Sequence, residues 1–343
     1  MKSLNEMISI ADKYGASDIH LVTGLIPTMR KNGLIANLDE NDSSVFTSEA
    51  SKNIIDTILN KYQKNSLEDK GDANLSYTCQ SIFKEKILRT RVNVFKDLRG
   101  YSFALRLINE NIPTMQELLL PHSIQSLIKK EHGLIVVTGP TGSGKSTTIA
   151  SMLETINNTK NIHILTIEDP VEYYYRSKKS LISQREVGEN CISFSAGLKA
   201  ALREDPDVIL VGEMRDAETI EMALAAAETG HLVLTTLHTA DVVQSIDRMM
   251  QYFPANQQEQ IRMQLANSFE GIIAQKLFLK NGGGRVAAFE ILLRTPATIN
   301  LIRTGRAFEL KDYMSNRDGM QTMDESITDL KRRNYLKHLM VLQ

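Results

Sequence analysis

Leu134-Ile135-Val136-Val137-Thr138-Gly139-Pro140-Thr141-Gly142-Ser143-Gly144-Lys145-Ser146 is the stretch whose reading decides the fold. Its first five residues are apolar or β-branched, as in a buried strand. Gly139 to Ser146 spell the GxxxxGK[ST] phosphate loop, and residues 147–156 have the spacing of a helix. Strand, loop and helix in that order are the context in which this motif has its mechanism. Glycines allow backbone N–H groups to turn inward around phosphate oxygens, and the helix N-terminus adds favourable partial charge. Lys145 is expected to reach the β- and γ-phosphates of ATP, and the Ser146 hydroxyl to coordinate Mg²⁺. With Thr147, residues 139–147 form the expected nucleotide-binding segment. A glycine-rich turn without a ligand is the competing reading, and the two correct flanks leave it little weight.

Outward from the loop, residues 162–167, 208–211 and 232–237 are further apolar runs alternating with helical patterns. Runs apolar on both faces predict a parallel sheet covered by helices on both sides. Each run ends in polar groups: Glu168-Asp169-Pro170-Val171-Glu172, Gly212-Glu213 and His238. Open α/β sheets bind ligands beyond the carboxyl ends of their strands, so these groups converge on the rim that carries the phosphate loop. Hydrolysis needs one carboxylate for the magnesium shell and another to orient or deprotonate water. The residues alone do not say which is which. His231 and His238 bracket one run, and a spacing of seven puts them at opposite ends and on opposite faces of a strand. They cannot share a metal ion within one chain.

Residues 1–108 differ in character, and the pattern predicts a smaller α+β domain. A helical opening at 4–14 precedes a strand at 19–22, and Ile54, Ile55, Ile58, Leu59 and Tyr62 predict one helix over 48–63. Two alternating segments, 86–96 and 101–108, predict a hairpin turning at Asp97-Leu98-Arg99-Gly100. Centring that turn between Leu98 and Arg99 sets Arg91 opposite Arg106. Like charges opposed on a sheet repel, so the pair asks for an anion between them. A solvated basic surface is the plainer alternative. Residues 109–114 are short and polar and end in Pro113-Thr114, which marks a linker. The remainder, 115–343, forms the second domain.

The composition sets bounds. In 343 residues, hydrophobic side chains make up 42% and charged ones 24%, ordinary for a globular protein, and the net charge of -1 gives no field that favours nucleic acid. The two cysteines, Cys79 and Cys191, are far apart, which argues against a disulfide or zinc ribbon and for a reducing cytoplasm. Neither a signal peptide nor an apolar run near the ~20 residues of a membrane helix is visible.

These residues carry a resemblance to the PilT group of secretion-type hexameric ATPases, which retract type IV pili. Ala16-Ser17-Asp18-Ile19-His20-Leu21 resembles the family's opening strand motif, and Arg89-Thr90-Arg91-Val92-Asn93-Val94-Phe95 with Arg99-Gly100 its arginine hairpin. Residues 167–172 resemble its Asp box, 207–216 its Walker B with glutamate in place of aspartate, and 229–239 its His box. The resemblance implies a PAS-like N-terminal domain followed by a RecA-like domain with C-terminal helices, in a ring of six, with ATP between the domains. It implies Glu172 as catalytic base, Glu213 as the magnesium-side carboxylate, His231 and His238 as interface and γ-phosphate sensors, and Arg91 and Arg106 as arginines acting in trans. It implies a cytoplasmic protein attached peripherally to an inner-membrane pilus platform protein, with no membrane insertion and no nucleic acid.

One segment departs from the family pattern. Where retraction ATPases carry Ala-Ile-Arg-Asn-Leu-Ile-Arg-Glu, this chain has Ala297-Thr298-Ile299-Asn300-Leu301-Ile302-Arg303-Thr304. Proline at 296 suits the first turn of a helix there, and Ile299 and Ile302 would share one face of it. An assembly or type II secretion ATPase, which normally adds an N-terminal region and a four-cysteine zinc element, is one alternative function. A non-motor nucleotide-binding regulator is another, and the carboxylates at 172 and 213 count against it. A nucleic-acid translocase is weaker still, since no basic stripe or aromatic stacking platform is visible.

Overall fold

A computed structural model describes residues 2–31, 33–108, 111–314 and 318–336. The chain divides into two units, Met1–Asn111 with Glu172–Tyr174, and Ile112–Val171 with Tyr175–Gln343. Asn109 and Glu110 of the expected linker lie outside the described residues, and 111–114 carry no regular structure.

In the first unit, helix α1 (Leu4–Tyr14) begins at a capping box between Ser3 and Glu6 and ends at Gly15, whose φ of 69° closes it. Strands β1 (Asp18–Leu21), β2 (Thr28–Lys31) and β3 (Leu34–Asn37) follow. The single helix expected over 48–63 is two, α2 (Ser48–Ile58) and α3 (Lys61–Lys70). Asn60 breaks the run because its side chain accepts from the Gln63 N–H while Gln63 reaches back, a cap that starts α3 anew. Strands β4 (Asp72–Gln80), β5 (Ile87–Asp97) and β6 (Gly100–Ile108) complete a six-stranded sheet in the order β3-β2-β1-β6-β5-β4.

The β5–β6 hairpin has the expected register, with Asp97 opposite Gly100 and Arg91 opposite Arg106. One sheet face buries Ile19, Leu21, Val92, Val94, Phe103 and Leu105 in a core shared with α1 and α2. Phe46 packs edge-on against Phe103 at 5.7 Å, an arrangement that contributes about 0.5–1.5 kcal/mol beyond its area. The alternate residues of the strands form the opposite, polar face.

The second unit opens with α4 (His122–Leu127), β7 (Gly133–Thr138) and α5 (Lys145–Thr159). Then come β8 (His163–Glu168), β9 (Leu181–Glu186), α6 (Phe194–Ala201), β10 (Val208–Val211), α7 (Ala217–Glu228) and β11 (Leu232–Leu237). The order closes with α8 (Val242–Gln251), α9 (Ala255–Ser268), β12 (Phe269–Leu279), β13 (Arg285–Leu293), α10 (Pro296–Arg303), α11 (Leu310–Met314) and α12 (Met323–Arg332). Seven strands run β13-β12-β7-β11-β10-β8-β9, and all neighbours are parallel except β12 and β13.

Every residue of β7, β10 and β11 is buried, which is why these runs read as apolar on both faces. The fold class expected from the sequence is the one observed: an α+β unit and a P-loop α/β unit with a mainly parallel sheet and C-terminal helices. Strands β2, β3, β4, β9, β12 and β13 are not among the runs expected from the sequence. Helix α10 starts on Pro296 under a Thr295 cap, with Ile302 fully buried and Ile299 packed against the same core. No described helix is long and apolar enough to cross a membrane.

Candidate nucleotide-binding site

Strand order decides what meets what. Because β7, β11, β10 and β8 are parallel neighbours, their carboxyl ends line one edge of the sheet. Thr138 at the end of β7 is level with Leu237, so the phosphate loop and His238 leave the sheet side by side. The loop is fastened from below: the Thr138 hydroxyl donates to the Thr239 carbonyl at 2.8 Å, and the Thr239 N–H returns a bond to it at 3.0 Å.

Lys145, the first residue of α5, is buried, and its ammonium is folded back on the loop. Nζ donates to the Gly139 carbonyl at 2.7 Å and to the Pro140 carbonyl at 3.1 Å. It also lies 3.4 Å from Nδ1 of His238. The other ring nitrogen, Nε2, lies 3.5 Å from a Glu213 carboxylate oxygen. The same oxygen accepts from Arg215 Nε at 2.8 Å, and Arg215 reaches Asp169 at 3.3 Å. The side chains of Lys145, His238, Glu213, Arg215 and Asp169 therefore form a continuous polar chain along the strand ends. The hydrogen bond to Glu213 raises the Arg215 pKa above its ordinary value, against the opposing effect of burial. Ser146 sits half-buried in the first turn of α5, beside Thr147. Ser146 Oγ and the Glu213 carboxylate are both hard oxygen ligands of the kind Mg²⁺ takes.

Of the residues expected at this site, Lys145, Glu213 and His238 are joined directly. Glu172 is exposed and makes no hydrogen bond or ion pair among the described residues, so the contact chain does not include it. Glu168 is buried and accepts from the Thr166 hydroxyl at 2.7 Å. His231 stands at the opposite end of β11, about 20 Å along the strand, with Nδ1 3.0 Å from the Ala226 carbonyl. Within one chain it does not share a site with His238.

On the polar face of the first unit, the register aligns Arg30, Asp18, Arg106 and Arg91 across four strands. Arg106 Nε donates to Asp18 at 2.9 Å. Partial burial works to raise the Asp18 carboxyl, but the Ser17 hydroxyl and the Arg106 guanidinium outweigh it and hold it below its ordinary range. Asp18 meets part of the Arg106 charge across the sheet, so the opposed pair is not held by an external anion alone. Arg91 is exposed and has no ion pair among the described residues.

Sequence reasoning missed Arg215, although it stands two residues after Glu213. Spacing does not reveal that a side chain in a loop bends back to that carboxylate. It also missed Gln275 on β12, whose Nε2 donates to the Ser143 carbonyl at 2.6 Å and whose Oε1 accepts from Thr148 at 2.7 Å.

A family model described as type II/IV secretion system protein matches residues 1–283. The type IV pilus retractation ATPase PilT of Pseudomonas aeruginosa is 43% identical over 329 residues, covering 95% of this chain and 93% of that protein. A twitching motility protein of Neisseria gonorrhoeae is 42% identical over 294 residues, covering 85% and 77%. The crystal structure of the pilus retraction motor PilT with bound ADP is similar at a TM-score of 0.89 and 44% identity, covering 98% of this chain and 95% of that one.

Proposed function

This chain belongs to the type II/IV secretion system protein family, and from that membership we propose that it is an ATP-hydrolysing motor that powers type IV pilus retraction. The observation that carries the reading is the polar chain from Lys145 through His238 and Glu213 to Asp169, placed where a phosphate loop meets the ends of parallel strands. Such a chain links the cation that meets a nucleotide's phosphates to the carboxylates that manage its metal and water.

In this proposal residues 139–147 cradle ATP. Lys145 exchanges the Gly139 and Pro140 carbonyls for phosphate oxygens, a step favoured because neutral acceptors give way to charged ones. Ser146 and Glu213 would hold Mg²⁺, which would supply charge neutralisation at the phosphates. Arg215 neutralises the Glu213 carboxylate. His238 lies between Lys145 and Glu213, where it senses the γ-phosphate, and Glu172 acts as the base on the attacking water. His231, remote from the loop within one chain, acts at a subunit boundary. The working form is a homohexamer in which Arg91, with Arg106, meets a neighbour's nucleotide. The ring works on the cytoplasmic face of the inner membrane against a pilus platform protein.

The test is deletion in the native host, with surface pili counted and twitching scored. Abundant pili that do not shorten are expected. Loss of surface pili would overturn retraction in favour of an assembly motor. Absence of phosphate release by the purified protein would favour a non-motor regulator.

A further inference from the structure

Gln275 lies on β12, one residue beyond the pairing of Ala274 with Thr138, and so level with the start of the phosphate loop. It is 2% exposed. Its amide spans the far end of the loop: Nε2 donates to the Ser143 carbonyl at 2.6 Å, and Oε1 accepts from the Thr148 hydroxyl at 2.7 Å. The chemistry fixes which way the amide points. A carbonyl can only accept, so the NH₂ must face Ser143, which leaves the oxygen for the hydroxyl.

The fit extends to two of the loop's glycines. A Cβ on Gly144 would stand 2.9 Å from Gln275 Nε2, and one on Gly139 would overlap the Gln275 backbone oxygen. The loop is therefore shaped around this one residue at both ends.

A trans peptide unit is planar, with its C=O and N–H pointing in opposite directions. Holding the Ser143 oxygen against Gln275 consequently turns the Gly144 N–H away from the Gln275 amide. We propose that Gln275 is a positioning residue for nucleotide binding: its amide locks the 143–144 peptide so that the Gly144 N–H is pre-aimed at a phosphate oxygen. This inference rests on the reading of the loop as a nucleotide site. Pre-aiming matters because a peptide free to flip must be ordered at the moment of binding, which weakens affinity.

The experiment uses the full-length protein, with ADP titrated by calorimetry against wild type, Gln275→Met and Gln275→Glu. Gln275→Met keeps the volume but removes both polar atoms, and affinity is expected to fall about tenfold to a hundredfold. Gln275→Glu supplies the sharper readout. As a carboxylate it cannot donate to Ser143 and repels its oxygen, but when protonated it donates as the amide does. Its affinity deficit relative to wild type at the same pH is expected to be large at pH 8 and to shrink several-fold at pH 5.5. A role confined to packing would give no such recovery. Wild type failing to bind ADP would sink the parent reading rather than this one. Wild-type affinity in Gln275→Met, or a Gln275→Glu deficit unchanged by pH, would overturn the positioning role. If Gln275→Met does not fold, the pH comparison on Gln275→Glu decides alone.

Discussion

Replacing Gly139 by alanine adds one methyl group where the loop has no room for it. The new Cβ would stand 2.6 Å from Ser143 Oγ and closer still to the backbone oxygen of Gln275. Ser143 can rotate, but Gln275 cannot retreat, because β12 is held by β7 on one side and β13 on the other. Overpacking of this kind costs about 1–3 kcal/mol. The φ of 148° at Gly139 is a conformation side chains rarely adopt, and it adds about 1–3 kcal/mol. The sum is about 2–6 kcal/mol.

The sheet is the stiffer partner, so the loop moves and the strain appears as lost nucleotide affinity. The overpacking share of about 1–3 kcal/mol should weaken ADP binding roughly fivefold to 150-fold at about 1.4 kcal/mol per decade, while the backbone share falls on the folded protein with or without nucleotide. Gly142→Ala is the control for folding. Its φ is 81° but its Cβ would meet nothing within 4 Å, so only the backbone cost of about 1–2 kcal/mol remains. That should lower the melting temperature of the nucleotide-free protein by about 2–8 °C. ADP titration and thermal melting of both variants are the assays. Gly139→Ala binding ADP within threefold of wild type would refute the argument that β12 sets the loop's position.

Glu172→Gln should retain nucleotide binding but lose roughly 10²–10⁴ in the rate of phosphate release, the usual effect of removing a general base. A rate equal to wild type would move the base to another carboxylate, with Glu168 next in line. Arg91→Ala should be inactive alone and partly rescued when its subunits are mixed with Lys145→Ala subunits. No rescue after verified subunit exchange would place the arginine's action in cis. Glu290 is buried, and its pKa is raised chiefly by desolvation, with Asp241 adding to it. Its contribution to stability is complete below the ordinary glutamate range and is lost as pH rises through the raised value. The melting temperature of Glu290→Gln minus that of wild type should therefore grow between pH 4 and pH 7. A difference that is flat or falls over that range counts against the assignment.

The sequence by itself determined the centre of the P-loop sheet, while its outer strands β9, β12 and β13 appeared only in the structure. Buried parallel strands must be apolar on both faces, so 134–138, 208–211 and 232–237 announced themselves, and the glycines and Lys145 have few other uses in that order. The hairpin register was equally legible, because a two-residue turn leaves one pairing and forces Arg91 opposite Arg106. Asn60 shows where legibility failed: Leu59 and Tyr62 keep the helical rhythm, and only a capping side chain breaks it.

Tertiary structure alone decided the partners of the site. Arg215 on Glu213, Asp18 on Arg106 and Gln275 on the phosphate loop are contacts between residues whose spacing in the chain carries no periodic signal. Periodicity reports which face of an element is buried. It does not report which strand lies beside which, and the sheet order β12-β7-β11-β10-β8 is what brings Gln275, Lys145, His238 and Glu213 to one edge.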